Sequence, residues 1–360
     1  MLQYALIGCG RIARRHLEAA LAQQELAVAA LCDLQQERAQ ALARQMGLEG
    51  AAAIYTDYRA MLRQVSPQLA AVATDSGSHE AIGLDCLDQG CHLLVEKPMA
   101  LSLAGADRLI RRAQQTGRVL AVCHQNRFNP AVQALHQQVE AGRFGRIYYG
   151  AAAVRWRRDR AYYQSASWRG RWDQDGGALM NQCIHNVDLL CWMLGEPTEV
   201  FAYTDRLDHP YIQGEDFAGA VVRFGEGRYG LLEGTTLLYP GNLEETLCLF
   251  GREGTVKLGG QAVNRVECWR FAGDSPGEEA CRRAALSESI ENVYGNGHRP
   301  LYEDWVRAVA TGSRPLIAGE EGRRALELVL AVYRSAADGR PIALPLGEGA
   351  SSDYQGRFAP

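Results

Sequence analysis

A glycine-rich turn near the start of the chain places the strongest constraint on its fold. A short apolar strand over residues 3–9 runs into Gly8–Ala13, with the sequence GCGRIA, and a helical pattern follows over residues 11–24. The first glycine permits a tight turn, the second lets a pyrophosphate approach the backbone, and the alanine allows close packing of helix on strand. The helix N-terminus attracts the phosphate charge. The turn therefore predicts a Rossmann dinucleotide-binding domain.

A carboxylate after the second predicted strand selects between the two nicotinamide cofactors. That strand spans residues 26–32 and is followed directly by Asp33, at roughly the distance of 20 residues from the turn that dinucleotide-binding folds use. A carboxylate there accepts hydrogen bonds from a ribose diol and repels a 2′-phosphate. Arg38, on the next helix, is assigned to a solvated face. NAD is therefore the expected cofactor, and NADP is disfavoured.

Strand and helix patterns alternate as far as Cys123, which predicts a parallel sheet with helices on both faces. The further predicted strands are 53–55, 69–74, 91–95 and 118–123, and the further predicted helices are 35–46, 57–65, 78–89 and 101–116. We expect residues 1–122 to form the NAD-binding domain and residues 123–360 a second, substrate-binding and oligomerisation domain, because 360 residues exceed one ordinary core.

Ligands of parallel sheets bind beyond the carboxyl ends of the strands. Three predicted loops lie at that edge, over residues 8–12, 74–79 and 96–98. The residues predicted to bind the dinucleotide lie in these loops, at the end of the second strand and just after the last one: Gly8, Gly10, Arg11, Ile12, Asp33, Thr74, Ser76, His79, Glu96, Lys97 and Asn126.

Lysine is rare in this chain, and its rarity makes Lys97 informative. The sequence has 36 arginines but only two lysines, Lys97 and Lys257. An ammonium is compact and exchanges protons when burial lowers its pKa, whereas a guanidinium stays charged. Lys97 stands between Glu96 and Pro98, and the proline imposes an extended or turn conformation where the strand ends. We therefore predict that Lys97 is catalytic and lies beside the dinucleotide.

After Cys123 the pattern changes to longer strands separated by glycine turns, which predicts a mostly antiparallel sheet. The predicted strands are 146–158, 197–206, 216–224, 228–236, 244–250 and 254–258. The predicted helices are 130–141, 178–194, 298–311 and 319–338, and residues 273–297 are expected to form an exposed loop. The chain is thus expected to combine an α/β Rossmann domain with a C-terminal α/β domain built on a large, open, mostly antiparallel sheet.

The helix predicted over residues 178–194 carries a second group of reactive side chains. Four residues spaced by four, three and four positions share one face: Asn181, His185, Asp188 and Trp192. The preceding Gly176-Gly177 pair lets the backbone come close to a neighbour or a ligand. The imidazole is suited to removing a hydroxyl proton near neutral pH, and Asn181 to holding a substrate hydroxyl. Asp188 is expected either to orient the ring or to make a packing contact.

Arginine and aromatic residues alternate between residues 155 and 172. Arginine binds phosphate in a bidentate manner, and aromatic rings stack on sugar or base faces. The residues predicted here to bind substrate are Arg158, Tyr163, Trp168 and Arg169. An oligomer contact, or a plain bias towards arginine, is the alternative explanation of this segment.

Composition excludes several classes of partner. A net charge of −4 and an isoelectric point near 6.1 give no reason to expect nucleic acid or an anionic membrane. The sequence shows no signal peptide and no long apolar run, so we expect a cytoplasmic protein without a membrane span. Ten scattered cysteines without a CxxC pair are read as reduced small hydrophobic residues, and no metal site is predicted.

Three motifs in this order resemble the Gfo/Idh/MocA oxidoreductase family: residues 8–13, residues 96–98, and the pair 176–177 followed by residues 185–188. The resemblance spans nearly the whole chain. It implies a Rossmann domain, a second domain whose open sheet often forms the interface of a homodimer or homotetramer, and a cis peptide before Pro98. It also implies that Lys97 acts together with His185.

One departure from the family pattern bears on the substrate. Inositol dehydrogenases of the family place an aspartate four residues before the histidine, whereas this chain has Asn181. With the segment from Arg158 to Gly170, this asparagine makes the chain more similar to the sugar-nucleotide 3-dehydrogenases, which oxidise UDP-N-acetylglucosamine or its uronate at C3. The resemblance therefore implies an NAD-dependent oxidation of a sugar-nucleotide hydroxyl.

In that reaction His185 removes the hydroxyl proton while Lys97 hydrogen-bonds the developing alkoxide, or the two exchange roles. Three alternatives stay open at this point: a dehydrogenase of a free sugar or inositol, an NAD-dependent glycosidase, and a non-catalytic NAD-binding protein. All of them retain the Rossmann domain, and only the dehydrogenases release NADH.

Overall fold

A computed structural model describes residues 1–275 and 277–358 of the chain, and these residues form two compact units. The units are made of four segments: Met1–His124 with His298–Arg323 in the first, and Gln125–Gly297 with the residues from Arg324 onward in the second. Among the described residues, no helix combines the length and the apolar character needed to cross a membrane.

The composition of the first unit differs from the expected division into 1–122 and 123–360. Residues 298–323 were assigned to the second domain, but they pack with the first unit. The reason is a contact between residues far apart in the sequence: the hydroxyls of Tyr302 and Tyr4 lie 2.8 Å apart in the core of this unit. Such pairing leaves no local signal in the sequence.

The first unit contains a six-stranded parallel sheet with the order β3-β2-β1-β4-β5-β6, which confirms the predicted Rossmann domain. Its strands are β1 Leu2–Ile7, β2 Leu26–Cys32, β3 Ala53–Tyr55, β4 Leu69–Val72, β5 His92–Val95 and β6 Leu120–Val122. Its first five helices are α1 Ala13–Leu21, α2 Gln36–Gln45, α3 Tyr58–Val65, α4 His79–Asp88 and α5 Leu103–Thr116. Every residue of β4 is buried, as expected for a sheet covered on both faces.

The second unit contains an eight-stranded sheet, and its antiparallel character is confirmed except for one parallel pair, β7 with β10. Its helices are α6 Pro130–Glu140, α7 Arg160–Gln164, α8 Ile184–Leu194 and α9 Glu278–Leu286. Its strands are β7 Ile147–Arg155, β8 Pro197–Asp205, β9 Phe217–Phe224, β10 Arg228–Thr235, β11 Glu244–Gly251, β12 Gly254–Gly259 and β13 Arg265–Phe271. The chain closes with α10 His298–Thr311, α11 Gly319–Asp338 and β14 Ile342–Ala343.

Two local expectations for the second unit were wrong. The exposed loop expected over 273–297 contains the helix α9, and residue 276 of that segment lies outside the described residues. The strand β13, which pairs with β12, had not been expected at all. In α9 alanine and long charged side chains favour a helix, but none of its residues is buried, so the sequence offers no apolar stripe to detect.

Glycines in neighbouring strands let α8 lie close to the sheet of the second unit. Gly150 in β7 and Gly230 in β10 are register partners, and a Cβ atom at either one would lie 3.0–3.2 Å from the Leu190 side chain. Directly before α8, a Cβ atom at Gly234 would lie 2.7 Å from Sγ of Cys183. The absence of these side chains sets the depth at which the helix packs.

We predict that Gly234→Ala lowers the free energy of unfolding by about 1–3 kcal/mol, because the added methyl group overpacks the contact with Cys183. Chemical denaturation of the purified protein measures the change. The matched control is Gly219→Ala in β9, where the added Cβ atom meets only the Phe217 ring, at 3.8 Å. Equal stability of the two variants would contradict the packing account.

Candidate active site

The glycine turn after β1 has the shape that the sequence predicts. Gly8 adopts φ = +97°, and a Cβ atom there would lie 2.4 Å from the carbonyl oxygen of Ala73 at the end of β4. Only glycine fits this position. Gly10 is exposed, and among the described residues only its own chain neighbours lie within 4 Å of the place where its Cβ would be. The turn therefore leaves an open approach to the start of α1, where Arg11 is exposed and Ile12 is half-buried.

Asp33 is held at the carboxyl end of β2 by two backbone amides. Its carboxylate accepts hydrogen bonds from the N–H of Cys9 (2.8 Å) and of Gln35 (2.9 Å). The carboxylate is thereby fixed beside the glycine turn, which fits the predicted role towards a ribose diol. Asp33, the turn and the N-terminus of α1 together fit an NAD molecule, and the binding role of each residue stays a prediction.

His79 joins two of the three loops at the carboxyl edge of the sheet. Its Nδ1 lies 2.8 Å from the carbonyl oxygen of Pro98, and its Nε2 lies 3.2 Å from that of Thr74. Burial lowers the pKa of His79, whereas the hydrogen bonds to the two carbonyl oxygens favour the protonated ring. Ser76 is buried in the short turn that precedes α4. The loops after β4 and β5 are therefore tied together, which is a structural task beside the cofactor role predicted for His79.

Lys97 is the most accessible residue of a buried loop. Glu96 and the three residues after Lys97 are buried, whereas Lys97 is half-buried, and the Lys97–Pro98 peptide is cis as the resemblance implies. The carboxylate of Glu96 points into the protein and accepts hydrogen bonds from the backbone N–H of Lys97 (3.1 Å) and from His16 (3.0 Å). The sequence assigned Glu96 to cofactor binding, and its observed contacts are with protein groups.

The other lysine has an ordinary explanation. Lys257 in β12 forms an ion pair with Glu267 in β13, with 2.7 Å between Nζ and Oε2, and both side chains are about 40% exposed. A pair of this kind is a surface contact worth little stability. The rarity of lysine therefore points to Lys97.

In the second unit, the pair Gly176-Gly177 allows a buried carboxyl to approach the backbone. A Cβ atom at Gly177 would lie 1.5 Å from Oε2 of Glu215, so no side chain fits there. Oε1 of Glu215 accepts hydrogen bonds from the N–H of Leu179 (2.7 Å) and from the hydroxyl of Tyr333 (2.9 Å). The neighbour that the diglycine accommodates is therefore Glu215, which anchors the start of the following helix.

That helix begins with a π-helical turn, Leu179–Cys183, and continues as α8. The change of helical period alters the predicted common face, because residues four apart do not align across a π-helical turn. Asn181 lies in the wide turn, where its Nδ2 donates to Asp175, and His185 lies in α8 with 8% of its surface exposed. Asn181 and His185 therefore stand on adjoining helical segments of different pitch.

Asp188 makes the packing contact that was one of its two expected roles. Both of its oxygens accept hydrogen bonds from Arg127, from Nε at 2.7 Å and Nη2 at 2.6 Å, and both side chains are buried. The guanidinium also lies 4.8 Å from the Trp192 ring, which stacks on His136. Arg127 thus holds α8 against the segment after β6, next to Asn126, whose amide donates to Glu245 (3.3 Å).

The arginine and aromatic segment forms a cluster around Tyr162, which the sequence did not single out. The guanidinium carbons of Arg158 and Arg169 lie 4.9 Å and 4.3 Å from its ring centre, and Arg169 donates to its hydroxyl (2.6 Å). The hydroxyl also accepts from Gln182 (3.1 Å), whose amide donates to Asn181 as well. This Tyr162 cluster therefore connects the arginines with Asn181.

Two other residues predicted to bind substrate lie around the Tyr162 cluster. Trp168 is half-buried, and the guanidinium of Arg169 lies 4.3 Å from its ring centre. Tyr163 is buried, and its hydroxyl donates to Thr236 (3.3 Å). Neighbouring positions of the short helix α7 thus differ in burial, with Tyr163 buried and Tyr162 half-buried. The substrate contacts of Tyr163 and Trp168 stay predictions.

Comparison with known proteins links these features to a family. The model of the Gfo/Idh/MocA oxidoreductase family, with an NAD-binding Rossmann fold, matches residues 2–124, and the model of the Gfo/Idh/MocA C-terminal domain matches residues 132–257. A curated relative, D-apiose dehydrogenase from Paraburkholderia graminis, is 27% identical over 94% of this chain and 89% of its own length.

Two solved structures are similar over nearly the whole chain. The WlbA dehydrogenase from Bordetella pertussis, in complex with NADH and UDP-GlcNAcA, is 36% identical, with a TM-score of 0.86 over 96% of this chain and 98% of that one. The WlbA dehydrogenase from Chromobacterium violaceum, in complex with the same two molecules, is 34% identical, with a TM-score of 0.87 over 96% of each chain.

The buried carboxyl of Glu215 is expected to make the free energy of unfolding depend on pH. Burial raises the pKa of its carboxyl to about 7, against hydrogen bonds from Leu179 and Tyr333 that favour the ionised form. A carboxyl whose pKa rises on folding stabilises the native state below its unfolded pKa of 4.5, and this stabilisation is lost as the pH rises through 7. Glu215→Gln stays neutral, so its stability relative to the wild type should increase by about 3 kcal/mol between pH 4.5 and pH 8.

Chemical denaturation across this pH range measures the difference between Glu215→Gln and the wild type. Glu348→Gln, at an exposed position of the same unit, is the matched control and should follow the wild type at every pH. A Glu215→Gln curve parallel to the wild-type curve would show that the Glu215 carboxyl does not titrate near neutrality.

Proposed function

Since the chain belongs to the Gfo/Idh/MocA oxidoreductase family, we propose that it oxidises the C3 hydroxyl of a UDP-N-acetylglucosamine-type sugar nucleotide, with NAD as its cofactor. The class of activity is that of an NAD-dependent sugar dehydrogenase acting on a CH–OH group. The uronate form is the favoured substrate within this class, because two structures at 34–36% identity hold UDP-GlcNAcA.

The observation that carries the proposal is the Tyr162 cluster. A sugar nucleotide brings a diphosphate, and arginine is the side chain best suited to phosphate oxygens. Arg158 and Arg169 flank one tyrosine ring, and hydrogen bonds connect that tyrosine with Asn181, four residues before His185. The two arginines would thus bind the diphosphate, and Asn181 would bind a sugar hydroxyl, within the same unit. A free sugar has no group for the two guanidinium ions.

The residues that would hold NAD lie in the first unit. Gly10 leaves space for the pyrophosphate at the start of α1, and Asp33 offers acceptors for the ribose diol. When bound, the nicotinamide supplies the redox chemistry by accepting a hydride. The protein supplies binding, orientation and proton transfer.

We assign the proton transfer to Lys97 and His185, in keeping with the family resemblance. His185 removes the proton from the substrate hydroxyl, and Lys97 donates a hydrogen bond to the alkoxide that develops, or the two exchange roles. Asn181 holds a neighbouring hydroxyl. Its side chain is oriented by Asp175 and Gln182, so it offers the substrate a fixed group.

Oxidation of a free sugar is the second candidate function. It is supported by the D-apiose dehydrogenase, which is 27% identical over most of its length. A screen of UDP-sugars against free sugars and inositols, followed by NADH absorbance, separates the two. Turnover of free sugars without turnover of UDP-sugars would reject the sugar-nucleotide proposal.

We also propose that the protein is a homodimer or homotetramer that associates through the sheet of the second unit. Exposed apolar side chains lie side by side on neighbouring strands of this sheet, with Leu231 paired with Val221 and Tyr229 paired with Tyr149. A contiguous apolar patch of this kind is typical of an interaction surface. Light scattering of the purified protein tests the proposal, and a monomer at micromolar concentration would reject it.

We predict that Lys97→Arg lowers kcat by about 100-fold or more, because a guanidinium keeps the charge but takes no part in proton exchange. Steady-state assays with NAD and UDP-N-acetylglucosaminuronate measure the change. Lys257→Arg is the matched control, since that lysine makes a surface pair with Glu267, and it should leave kcat unaltered. An active Lys97→Arg enzyme would remove the reason given for the rare lysine.

A second prediction concerns the diphosphate. Arg169→Ala should raise KM for the UDP-sugar by about 10- to 100-fold, the value of one charge-assisted hydrogen bond to an anion. Arg171→Ala is its control, because Arg171 lies two residues along the chain in an exposed pair with Asp173. If both variants have the KM of the wild type, the arginines around Tyr162 do not bind the diphosphate.

A further inference from the structure

A buried cluster in the first unit takes no part in the proposed chemistry. His16 in α1, Glu96 after β5, Cys123 after β6 and His298 in α10 each direct one reactive atom to a common point, with these atoms within 4.8 Å of one another. All four residues are buried. The cluster is connected with Lys97 through Glu96, which precedes it in the chain.

Hydrogen bonds connect His16 with the backbone of Lys97. Nε2 of His16 lies 3.0 Å from Oε1 of Glu96, and Oε2 of Glu96 accepts a hydrogen bond from the N–H of Lys97 (3.1 Å). On the other side of the ring, Nδ1 lies 2.8 Å from the hydroxyl of Tyr302, which lies 2.8 Å from that of Tyr4. Both ring nitrogens of His16 and both carboxylate oxygens of Glu96 are thus hydrogen-bonded.

The charges of the cluster favour this hydrogen-bonded arrangement. Although burial opposes ionisation, the hydrogen bond from His16 and the charge of Lys97 hold the pKa of Glu96 well below its ordinary value. An ionised carboxylate only accepts hydrogen bonds, so Nε2 of His16 carries a proton. Burial lowers the pKa of His298 to about 3, which leaves that ring neutral, edge-on to the His16 ring at 5.6 Å.

Four residues of these types also resemble the ligand set of a zinc ion. A metal bound to His16 and Glu96 would displace the proton that now joins them. The ring nitrogens of His298 have no hydrogen-bond partner among the described residues, whereas a histidine ligand normally has one for its second nitrogen. The geometry therefore favours a hydrogen-bond chain over a metal centre.

We propose that His16 is a positioning residue for Lys97: its ring orients the Glu96 carboxylate, which fixes the backbone from which the Lys97 side chain extends. This inference rests on the proposed function, in which Lys97 contacts the reacting hydroxyl. A misplacement of a reacting group by about 1 Å lowers turnover by about 100-fold. A residue that positions Lys97 without contacting the substrate therefore has a large effect on kcat.

Three variants test this role. His16→Leu removes the donor to Glu96, His16→Gln keeps an N–H donor on a side chain of similar reach, and His298→Phe keeps a ring edge-on to His16 without touching Glu96. With NAD and UDP-N-acetylglucosaminuronate, His16→Leu should lower kcat by about 100-fold with KM and NADH affinity within about threefold. His16→Gln should recover most of kcat, and His298→Phe should retain it.

The two lysines of the chain provide a readout that does not depend on activity. Acetylation with an N-hydroxysuccinimide ester, followed by peptide mass spectrometry, compares the labelling rate of Lys97 with that of Lys257. His16→Leu should change this ratio at least about threefold, and His16→Gln should restore it. If His16→Leu does not fold, Tyr302→Phe, which frees the far side of the ring, takes its place and should shift both kcat and the ratio in the same direction.

A double-mutant cycle of His16→Leu with Glu96→Gln completes the test. If His16 acts through Glu96, the double variant should have the kcat of the more impaired single variant. Additive losses, an unchanged labelling ratio, or parallel losses of kcat, NADH affinity and melting temperature would overturn the proposal. One zinc ion per chain in the purified protein, measured by mass spectrometry, would also overturn it.

Failure of this inference is distinguishable from failure of the proposed function. An active Lys97→Met enzyme rejects the proposed role of Lys97, whatever His16 does. An inactive Lys97→Met enzyme with a fully active His16→Leu enzyme rejects only the positioning role. The labelling ratio reports on the Lys97 environment in both cases.

Discussion

The close approach of Gly8 to the end of β4 is the constraint on which the first unit depends. The carbonyl oxygen of Ala73 occupies the space that any side chain at residue 8 would need. Glycine at residue 8 thus lets the ends of the neighbouring strands β1 and β4 lie close together, and the loops that follow them start from the same place. In a sheet of this order, that point is where the chain reverses direction and opens a crevice. The turn, Asp33 and the loop of Lys97 then lie along the same edge. The order of Asp33, the turn and the loop of Lys97 along this edge follows from the order β2, β1, β4, β5 of the strands.

Each unit supports its reactive segment with a buried carboxyl, and the two carboxyls have opposite electrostatics. Glu96 is surrounded by donors and positive charge and stays ionised, which suits a group that grips an amide and an imidazole. Glu215 accepts hydrogen bonds from neutral donors, lies near the charge of Asp216, and holds its proton up to about pH 7. Burial is common to both, so the difference comes from the hydrogen bond with His16 and from neighbouring charge. The loop of Lys97 and the start of the helix of His185 are thus each held by a buried acid.

Much of this arrangement could be predicted from local chemistry, and the rest depends on contacts that the sequence does not display. The glycine turn and Asp33 belong to a short motif whose residue types carry their own geometry, whereas the cis peptide before Pro98 was implied by the family resemblance. The contact between Gly177 and Glu215 joins residues 38 positions apart by number, and only tertiary packing reveals it. The sequence identified the arginine and aromatic segment but selected Tyr163, whereas the cluster is centred on its neighbour Tyr162. Which of two adjacent tyrosines on one helical turn is buried depends on tertiary packing. Residues 298–323 join the first unit through Tyr302, a buried contact without a sequence signature.

The π-helical turn ahead of α8 has an evolutionary consequence. Such a turn is equivalent to one residue inserted into an α-helix, and each residue of an α-helix turns its successor by about 100°. Gain or loss of a single residue between 179 and 183 would therefore rotate the side chain at 181 around the helix axis while α8 stayed packed on the sheet. Descendants of a common ancestor could in this way change the direction of one side chain without repacking the helix that follows it.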